Sequence, residues 1–368
     1  MTIRLRSCAP EQVSSLLPGA LAGEYLLAPA SVEGPRTANR MLRDGRELST
    51  DAAVVVTTSG STGQPKGVLL SARAMTAAAE AFRARYGAFT WTLALPAGYV
   101  AGLMVLVRGL LDQANGAQPT RLVPADLTGL DAAAGPNAIS LVPTQLVRAL
   151  RSPELSAALA GFDAVLVGGA AVDQQLLAQA RAAGIPVLTS YGMSETCGGC
   201  VFDGQPLPGV QVDIAATGRI SIGGPMLFSG YLDDPAASAA VLGGGRLLTN
   251  DRGEWVGRPD GTQQLRVLGR FDDVVISGGV NVDLAAVQRA VDALGRGETA
   301  VVGVPDQEWG TRIVLACTTP RDSLADWQAA LRSRLAPAAL PRQLLVLPQL
   351  PRTSSGKPDR QQLRRMAS

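Results

Sequence analysis

The stretch from 163 to 192 constrains the fold more than any other part of the chain. Its sequence is DAVLVGGAAVDQQLLAQARAAGIPVLTSYG. The run Ala164 to Val167 is typical of a buried strand, Asp173 to Ala183 has apolar residues at helical spacing before Gly184, and IPVLTS begins a second strand. Because a strand, a crossover helix and a second strand form a βαβ unit, we expect an α/β fold with a parallel sheet.

Other segments extend this prediction. Ser71 to Tyr86 is predicted to be a helix with Ser71 as its N-cap and Gly87 at its end. After about Pro206 the chain changes to short alternating runs with a Pro-Asp-Gly turn at 259 to 261, which indicates antiparallel β structure.

A further change in texture begins at about Gly269. The segment VDLAAVQRAVDAL predicts a helix, TAVVGVPD and RIVLACTT predict strands, and a helix is expected over Leu324 to Leu335. We therefore predict a large N-terminal domain over 1–270, with parallel sheets layered by helices and a small antiparallel β part. A small α+β domain is predicted over 271–368.

Composition excludes several classes of partner. The 368 residues carry a formal charge of +2, so no global field attracts nucleic acid or an anionic membrane. The most apolar window, Leu93 to Val107, is interrupted by proline and glycine and is shorter than the roughly 20 residues of a membrane helix. We expect it to be buried core, without membrane insertion. Four cysteines and a poor signal-peptide pattern favour reduced thiols in the cytoplasm.

The chain contains no histidine. This excludes Ser/His and Cys/His nucleophile systems, histidine-containing zinc sites and the usual general base near neutral pH. Any chemistry here must use lysine, arginine, carboxylates, hydroxyls and backbone groups.

A loop rich in glycine and hydroxyl residues follows the apolar run Val54 to Val56. Residues 58–67 are TSGSTGQPKG. In one interpretation this is a flexible surface turn. In the other, backbone N–H groups, hydroxyls and Lys66 converge on a polyphosphate. The spacing does not fit the Walker pattern, because Lys66 precedes Gly67 and not a hydroxyl residue.

Four further motifs follow in order. YGMSET at 191–196 comes at the end of a predicted strand, where α/β sheets bind ligands. LLTNDRG places Asp251 in a turn, GRFDDVVISGG begins at Gly269, and LPRTSSGKPDR holds Lys357 near the C-terminus.

With these five motifs in this order, the chain resembles the adenylate-forming superfamily of acyl-CoA ligases, luciferases and adenylation domains. The resemblance implies that the loop binds the triphosphate of ATP, that Gly168, Gly169 and Ala170 lie against adenine, and that Tyr191 stacks on it. It also implies that the hydroxyls of Ser194 and Thr196 lie near the α-phosphate, and that Asp251 accepts hydrogen bonds from the ribose hydroxyls with Arg270 beside it. Lys357 is implied to be a mobile catalytic lysine. The implied catalytic residues are Lys357, Glu195 and Ser194, with Glu195 as metal ligand and Asp272 as hinge. The implied nucleotide-binding residues are Thr58, Ser59, Gly60, Ser61, Thr62, Gly63, Lys66, Gly168, Gly169, Ala170, Tyr191, Gly192, Met193, Thr196, Asp251 and Arg270.

The implied reaction suits a chain without histidine. A carboxylate attacks the α-phosphorus of ATP and releases pyrophosphate, and it is already ionised at pH 7, so no general base is needed. Catalysis is then positioning and charge neutralisation, with Mg²⁺, Lys357 and backbone donors. In the second step the CoA thiol attacks the acyl-AMP, after the C-terminal domain rotates about the hinge.

Within the superfamily, the short stretch before the phosphate loop and the segments LPAGYVAGLMVL, SLVPTQLVRAL and ISGGVNV most resemble the o-succinylbenzoate:CoA ligases of menaquinone biosynthesis, in a short actinobacterial form. Gly98 and Tyr99 replace the Phe-His pair of many relatives, and Asn250 replaces a usual glycine. A ligase for another aryl or medium-chain acid is one alternative, and a non-catalytic nucleotide-binding relative is another.

The second carboxylate of such a diacid needs a cation or several donors. Arg108, Arg121 and Arg148 are candidates, and a surface arginine is the alternative for each. The expected partners are therefore a small carboxylic acid, ATP and CoA, with no nucleic acid; an oligomer is compatible with the sequence.

The motif CGGC at 197–200 has three interpretations. It can line the acyl pocket, support redox chemistry or supply half of a zinc site. Cys8 and Cys317 stand far from it without metal-ligand spacing, which favours the pocket lining. A free Cys197 is expected to be open to alkylation.

Overall fold

The structure is a computed structural model that describes residues 2–30, 42, 44–58, 66–319, 321–353 and 357–368. Its contacts divide the chain into two compact units. The first comprises Met1–Asp213, Ser221–Thr249 and Val256–Leu265, and the second comprises Ile214–Ile220, Asn250–Trp255 and Arg266–Ser368. The boundary predicted at 270 follows the last of these divisions by a few residues and stays a prediction.

In chain order the strands are β1 (Thr2–Cys8), β2 (Leu26–Pro29), β3 (Glu47–Ser49), β4 (Ala52–Thr58), β5 (Lys66–Ser71), β6 (Thr90–Leu93), β7 (Arg121–Leu122), β8 (Asn137–Leu141), β9 (Ala164–Val167), β10 (Val187–Met193), β11 (Gly198–Phe202), β12 (Gln205–Pro206), β13 (Gln211–Ile214), β14 (Arg219–Gly223), β15 (Gly230–Tyr231), β16 (Leu242–Gly243), β17 (Arg246–Gly257), β18 (Gln263–Arg270), β19 (Val274–Ser277), β20 (Val280–Asp283), β21 (Thr299–Asp306), β22 (Gly310–Cys317) and β23 (Gln343–Val346).

The helices are α1 (Val13–Leu21), α2 (Ala72–Tyr86), α3 (Val100–Gln113), α4 (Pro143–Leu150), α5 (Pro153–Ala160), α6 (Gln174–Ala182), α7 (Pro235–Val241), α8 (Leu284–Asp292), α9 (Leu324–Leu331) and α10 (Arg360–Ala367). Short 3-10 turns occur at Pro10–Gln12, Ser194–Thr196, Phe271–Asp273 and Pro337–Ala339.

The predicted α/β class is confirmed by two mixed sheets in the first unit. One has the strand order β15-β5-β4-β2-β1-β3, with parallel pairs among β1, β2 and β4 and antiparallel pairs elsewhere. The other has the order β12-β11-β10-β9-β8-β6-β7 and is parallel from β7 to β10. Strands β11 and β12 add antiparallel pairs at its edge.

The predicted βαβ unit is confirmed as β9, α6 and β10, whose strands pair in parallel. Asp173 caps α6 by accepting hydrogen bonds from the backbone of Gln175 and Leu176. Ser71 caps α2 in the same way, since its hydroxyl accepts from Ala74 N at 3.1 Å. Local capping chemistry therefore fixes where both helices begin.

The apolar window from 93 to 107 is core, as predicted. It contains the end of β6 and most of α3, and Leu103 to Val107 are all buried. Over the part of the chain that the structure covers, no helix has both the length and the apolar character needed to cross a membrane.

Most strands after Pro206 are short, as expected, and the hairpin of β16 and β17 is antiparallel. Strand β17 spans 12 residues and contains Asp251, so the prediction that Asp251 lies in a turn is wrong. Residues 214–220 and 250–255 of this stretch belong to the second unit.

The second unit is α+β, as predicted. Its sheet has the order β20-β19-β22-β21, with β23 parallel to β22. Val287 and Val291 of α8 pack with Trp327 of α9 in one apolar cluster, and Leu363 of α10 packs in another with Val302 and Val304 of β21. The helix expected over Leu324 to Leu335 ends at Leu331, four residues early.

Candidate active site

The carboxyl ends of β9 and β10 bring two predicted motifs together in the first unit. Gly168, Gly169 and Ala170 follow β9, and the partly exposed Tyr191 lies near the end of the adjacent parallel strand. Gly168 lies so close to β10 that a Cβ there would be 3.1 Å from the Ser190 backbone oxygen. Adjacent strand ends at a parallel sheet are where α/β folds bind ligands.

Gly192 is required by packing. Its strand pairing with β11 shifts register between Tyr191 and Gly192, and a Cβ at this position would be 2.0 Å from the carbonyl oxygen of Gly198. This close approach excludes any side chain.

The turn Ser194–Thr196 follows Met193 directly. The Thr196 hydroxyl is fully buried, accepts from Met193 N at 2.9 Å and donates to Gly198 O at 2.7 Å. It therefore closes the turn, and its predicted contact with the α-phosphate stays a prediction. Ser194 and Glu195 are only partly buried.

Glu195 is held by a neighbouring segment of the same unit. Tyr231 donates a hydrogen bond from its hydroxyl to Glu195 Oε1 at 2.8 Å, and Phe228 N donates to the Glu195 carbonyl oxygen at 2.9 Å. The pKa of the Tyr231 phenol is raised, first by burial and then by the charge of Glu195. Tyr231 therefore remains a proton donor at all physiological pH values.

The ends of the predicted phosphate loop lie on paired strands. Thr58 at the end of β4 is opposite Lys66 at the start of β5, and the Lys66 ammonium lies 4.6 Å from the centre of the Tyr231 ring. The predicted residues Ser59, Gly60, Ser61, Thr62 and Gly63 lie outside the residues that the structure describes.

Asp251 and Arg270 come together in the second unit. Arg270 Nη1 is 3.6 Å from the buried carboxylate of Asp251, and Arg270 also donates two hydrogen bonds to Asp272, at 2.7 and 2.9 Å. Burial acts to raise the pKa of Asp272, but the hydrogen bonds from Arg270 and Asn250 outweigh it and lower the pKa. The guanidinium thus connects the predicted ribose ligand with the predicted hinge.

Lys357 lies in the same unit, and its backbone is fixed by a bridge between Arg352 and Pro358 and by a bond from Thr353 N to Lys357 O at 2.8 Å. The pKa of its ammonium group is lowered, first by the protein that displaces water around it and then by Arg270, while Asp251 opposes the shift. The residue keeps an exposed surface, so solvent limits the size of these effects.

Lysine itself is rare in this chain. Lys66 and Lys357 are the only two lysines, so 31 of the 33 basic residues (33 − 2) are arginine. Both lysines stand in predicted phosphate-binding or catalytic motifs, where a compact ammonium group is not interchangeable with a planar guanidinium.

The three arginines considered for a second carboxylate differ in environment. Arg121 bonds to the carboxylate and carbonyl oxygen of Asp131, and Arg148 is exposed. Arg108 on α3 is only 4% exposed and stacks over the rings of Phe82 and Trp91, at 4.8 and 5.4 Å.

The Arg108 guanidinium is a buried cation with unused hydrogen-bonding capacity. Its Nε has no hydrogen-bond partner among the residues with assigned positions. Burial lowers its pKa to about 10, with Asp112 and Cys197 opposing, so it is still charged at neutral pH. A buried charge of this kind is costly unless something compensates it.

Two family models match this chain. The "AMP-binding enzyme" model matches residues 26–232, and the "AMP-binding enzyme C-terminal domain" model matches 295–357. The chain belongs to the AMP-binding enzyme family. The first match includes the predicted phosphate loop, the ends of β9 and β10 and the turn with Glu195, and the second ends at Lys357.

Curated members of this family are similar over most of the chain. A "Probable 2-succinylbenzoate--CoA ligase" of Mycobacterium tuberculosis is 41% identical over 335 residues, covering 87% of this chain and 85% of its own. The 2-succinylbenzoate--CoA ligase of Enterococcus faecalis is 31% identical over 340 residues, covering 83% of this chain and 67% of its own.

Solved structures of the family share the fold. The o-succinylbenzoate CoA synthetase of Bacillus subtilis, in complex with the acyl-adenylate OSB-AMP, has a TM-score of 0.71 at 25% identity and covers 96% of this chain and 80% of its own. A structure of Escherichia coli MenE with bound OSB-AMS has a TM-score of 0.80 at 23% identity, covering 100% of this chain and 88% of its own, and this likeness concerns the fold alone.

Tyr231 of this AMP-binding enzyme was not found from the sequence. It lies 36 residues from Glu195, on a two-residue strand, so no spacing pattern connects the two. Only the antiparallel pairing of β15 with β5 brings its hydroxyl to the carboxylate.

The CGGC motif is fully built into the core. Cys197 and Cys200 are free and buried, and burial raises the pKa of each thiol to about 12. The expectation that Cys197 is open to alkylation is wrong, because a thiol with no exposed surface cannot meet the reagent. Nor does the described part of the chain hold a group of three metal-ligating side chains.

We expect native protein at pH 8 to resist thiol labelling by Ellman's reagent, because all four cysteines are free and buried. Full labelling of four thiols is expected after unfolding in guanidinium chloride. Rapid modification of the native protein, mapped by peptide mass spectrometry to Cys197 or Cys200, would contradict this burial.

Proposed function

We propose that this chain is an AMP-forming acid:CoA ligase that activates 2-succinylbenzoate with ATP and transfers the acyl group to CoA in menaquinone biosynthesis. The identity of 41% to a probable 2-succinylbenzoate--CoA ligase supports the activity. The observation that carries the choice of acid is the buried cation of Arg108, because 2-succinylbenzoate has a second carboxylate to bind.

In the first step one acid carboxylate attacks the α-phosphorus, the bond to the bridging oxygen breaks, and pyrophosphate leaves with its electron pair. We assign the neutralisation of the developing negative charge to Lys357, with Lys66 on the polyphosphate. Asp251 accepts hydrogen bonds from the ribose, and Arg270 keeps its carboxylate oriented from 3.6 Å.

Magnesium fits the chemistry of Glu195 and Tyr231. Glu195 is a partly buried carboxylate, and among the described residues Tyr231 is the one that donates a side-chain hydrogen bond to it, at Oε1. A site with one protein carboxylate is typical of Mg²⁺, which keeps its waters and binds substrate phosphates. The ion would supply charge neutralisation on the polyphosphate, with Glu195 as its protein ligand.

In the second step the CoA thiol attacks the acyl carbonyl and AMP leaves. We propose that Asp272 is the hinge about which residues 271–368 turn between the two steps. Asp272 suits this role because hinges are a few residues at the ends of elements. Its hydrogen bonds with Arg270 would hold the domain arrangement in which the acyl-adenylate forms. The proposed use of ATP and CoA by this protein is in keeping with a cytoplasmic enzyme.

Arg108 is proposed to bind the carboxylate of the acid that does not react. A carboxylate would accept a hydrogen bond from the Nε donor of Arg108, for which the described residues supply no acceptor. The charge of Asp112 offsets part of the buried positive charge, but one oxygen of Asp112 accepts from Phe89 N at 3.2 Å and from Trp91 Nε1 at 2.8 Å. Arg121 and Arg148 are less suited, because one is paired with Asp131 and the other is exposed.

A pyrophosphate-release assay with ATP, Mg²⁺ and CoA tests the proposal on a panel of 2-succinylbenzoate, benzoate and octanoate. We expect release with 2-succinylbenzoate at a kcat/KM at least about 100-fold above the others, because a monoacid leaves the buried Nε donor of Arg108 without an acceptor. Preference for benzoate or octanoate would establish a different acid:CoA ligase. If no acid gives pyrophosphate release although the protein binds ATP, the result would support the alternative of a non-catalytic nucleotide-binding relative.

A further inference from the structure

One short segment, Phe228 to Leu232, contacts both Glu195 and the strand that begins with Lys66. Phe228 and Tyr231 hold the backbone and the carboxylate of Glu195, as described above. The same segment pairs with β5: Ser229 N donates to Leu69 O at 2.9 Å, and Leu232 N donates to Gly67 O at 2.8 Å. The carboxylate and the lysine are therefore fixed to a common support.

The Tyr231 ring lies between two opposite charges. The ammonium of Lys66 faces the ring at 4.6 Å, and the hydroxyl at the edge of the ring donates to Glu195. No direct ion pair joins Lys66 to Glu195 in the described part of the structure, although each would be an attractive partner for the other. An ammonium over an aromatic face is stabilised without being neutralised.

The hydrogen bond also leaves Glu195 able to bind a ligand. An ionised carboxylate has about four acceptor positions, and a single O–H donor occupies one of them. The Tyr231 ring is itself fixed, since it packs edge-on against Phe228 with ring centres 5.0 Å apart. The direction of the second Glu195 oxygen, which accepts no hydrogen bond from the residues that the structure describes, is thus set by a rigid neighbour.

We propose that Tyr231 is a positioning residue for the metal–nucleotide complex, which orients Glu195 toward the divalent cation and keeps Lys66 from pairing with it. This rests on the proposed ATP-dependent function, and it concerns the step before the acid reacts. Partners that orient metal ligands change metal affinity by about 10- to 100-fold when they are removed.

Tyr231→Phe is the direct test, because it keeps the ring under Lys66 and removes only the hydroxyl. Binding of Mn²⁺ is measured by electron paramagnetic resonance in the presence of α,β-methylene ATP, which cannot release pyrophosphate. We expect the Mn²⁺ dissociation constant to rise about tenfold. Binding of the ATP analogue without metal should be unchanged.

Tyr25→Phe is a matched control in the same unit. Tyr25 also lies under a cation, with Arg6 at 4.9 Å, and its hydroxyl also donates a partly buried hydrogen bond, to Leu16 O at 2.7 Å. We expect this control to leave the Mn²⁺ dissociation constant unchanged. An equal rise in both variants would overturn the proposal, since it would reflect a general loss of stability.

A double-mutant cycle separates Tyr231 from other routes to the metal. If the hydroxyl acts through Glu195, then Tyr231→Phe should weaken Mn²⁺ binding no further in a Glu195→Gln background. Additive effects would overturn the proposal. Unchanged Mn²⁺ binding in Tyr231→Phe would also overturn it while leaving the ligase function intact, whereas a wild-type protein that binds no Mn²⁺ with the analogue would overturn the ATP-dependent function as well.

Discussion

Lys357→Ala is expected to lower the rate of acyl-adenylate formation by about 100- to 1000-fold, the range seen when one preorganised group that stabilises transition-state charge is removed. The rate of pyrophosphate release, followed by stopped flow in single turnovers with 2-succinylbenzoate, measures this step directly. Binding of ATP should change little, because Asp251, Lys66 and the phosphate loop are intact. Unchanged turnover in Lys357→Ala would show that the lysine is not catalytic.

The pH profile distinguishes the charge of Lys357 from its mere presence. The protonated form is the one that neutralises developing charge, so the rate should fall as pH rises through a pKa that burial and Arg270 have lowered. Lys357→Arg keeps a charge that is not lost at accessible pH. We therefore expect this variant to be slow but to lack the alkaline decline, and a decline that persists in Lys357→Arg would assign it to another group.

Arg108→Met is expected to reduce kcat/KM for 2-succinylbenzoate by about 100-fold, because hydrogen bonds to a charged group contribute about 1.5 to 3 kcal/mol. Methionine conserves most of the apolar volume beside Phe82 and Trp91. The activity with benzoate should be unchanged or higher, since a monoacid has no second carboxylate. The change should appear mainly in KM, because the unreacting carboxylate is bound equally in the ground state and in the transition state.

Thermal unfolding and one other arginine, Arg148, provide the controls for Arg108→Met. Arg108→Met also removes the positive charge that attracts the buried carboxylate of Asp112, so the melting temperature is expected to fall, and activities are compared at a temperature where the variant is fully folded. Arg148→Met, on the exposed face of α4, should leave kcat/KM unchanged. An equal loss of activity with 2-succinylbenzoate and benzoate in Arg108→Met would contradict a role in reading the diacid.

Much of this protein could be predicted from local sequence. The βαβ unit at 163–192 and the caps Ser71 and Asp173 are local, because strand periodicity and capping bonds involve residues within a few positions. The order of the motifs also led to the AMP-binding enzyme family, which the matches at 26–232 and 295–357 establish.

Other features depended on contacts between distant residues. The sequence did not distinguish Arg108, Arg121 and Arg148, but their surroundings in the structure differ. Arg121 pairs with Asp131, Arg148 is exposed, and Arg108 is buried against two aromatic rings. Exposure of Cys197 was predicted wrongly for the same reason. Burial is a sum over neighbours brought together by the fold, and a four-residue motif does not contain it.

The sequence by itself determined that the chemistry uses no histidine, that the fold contains a parallel sheet, and that only two lysines are present, both in the motifs predicted to bind phosphate or to act in catalysis. Composition and local periodicity are sufficient for each of these. Only the tertiary structure decided that Tyr231 separates Lys66 from Glu195 and that Arg108 is the buried cation. The physical reason is that hydrogen bonds and desolvation act over a few ångströms in space, whatever the distance along the chain.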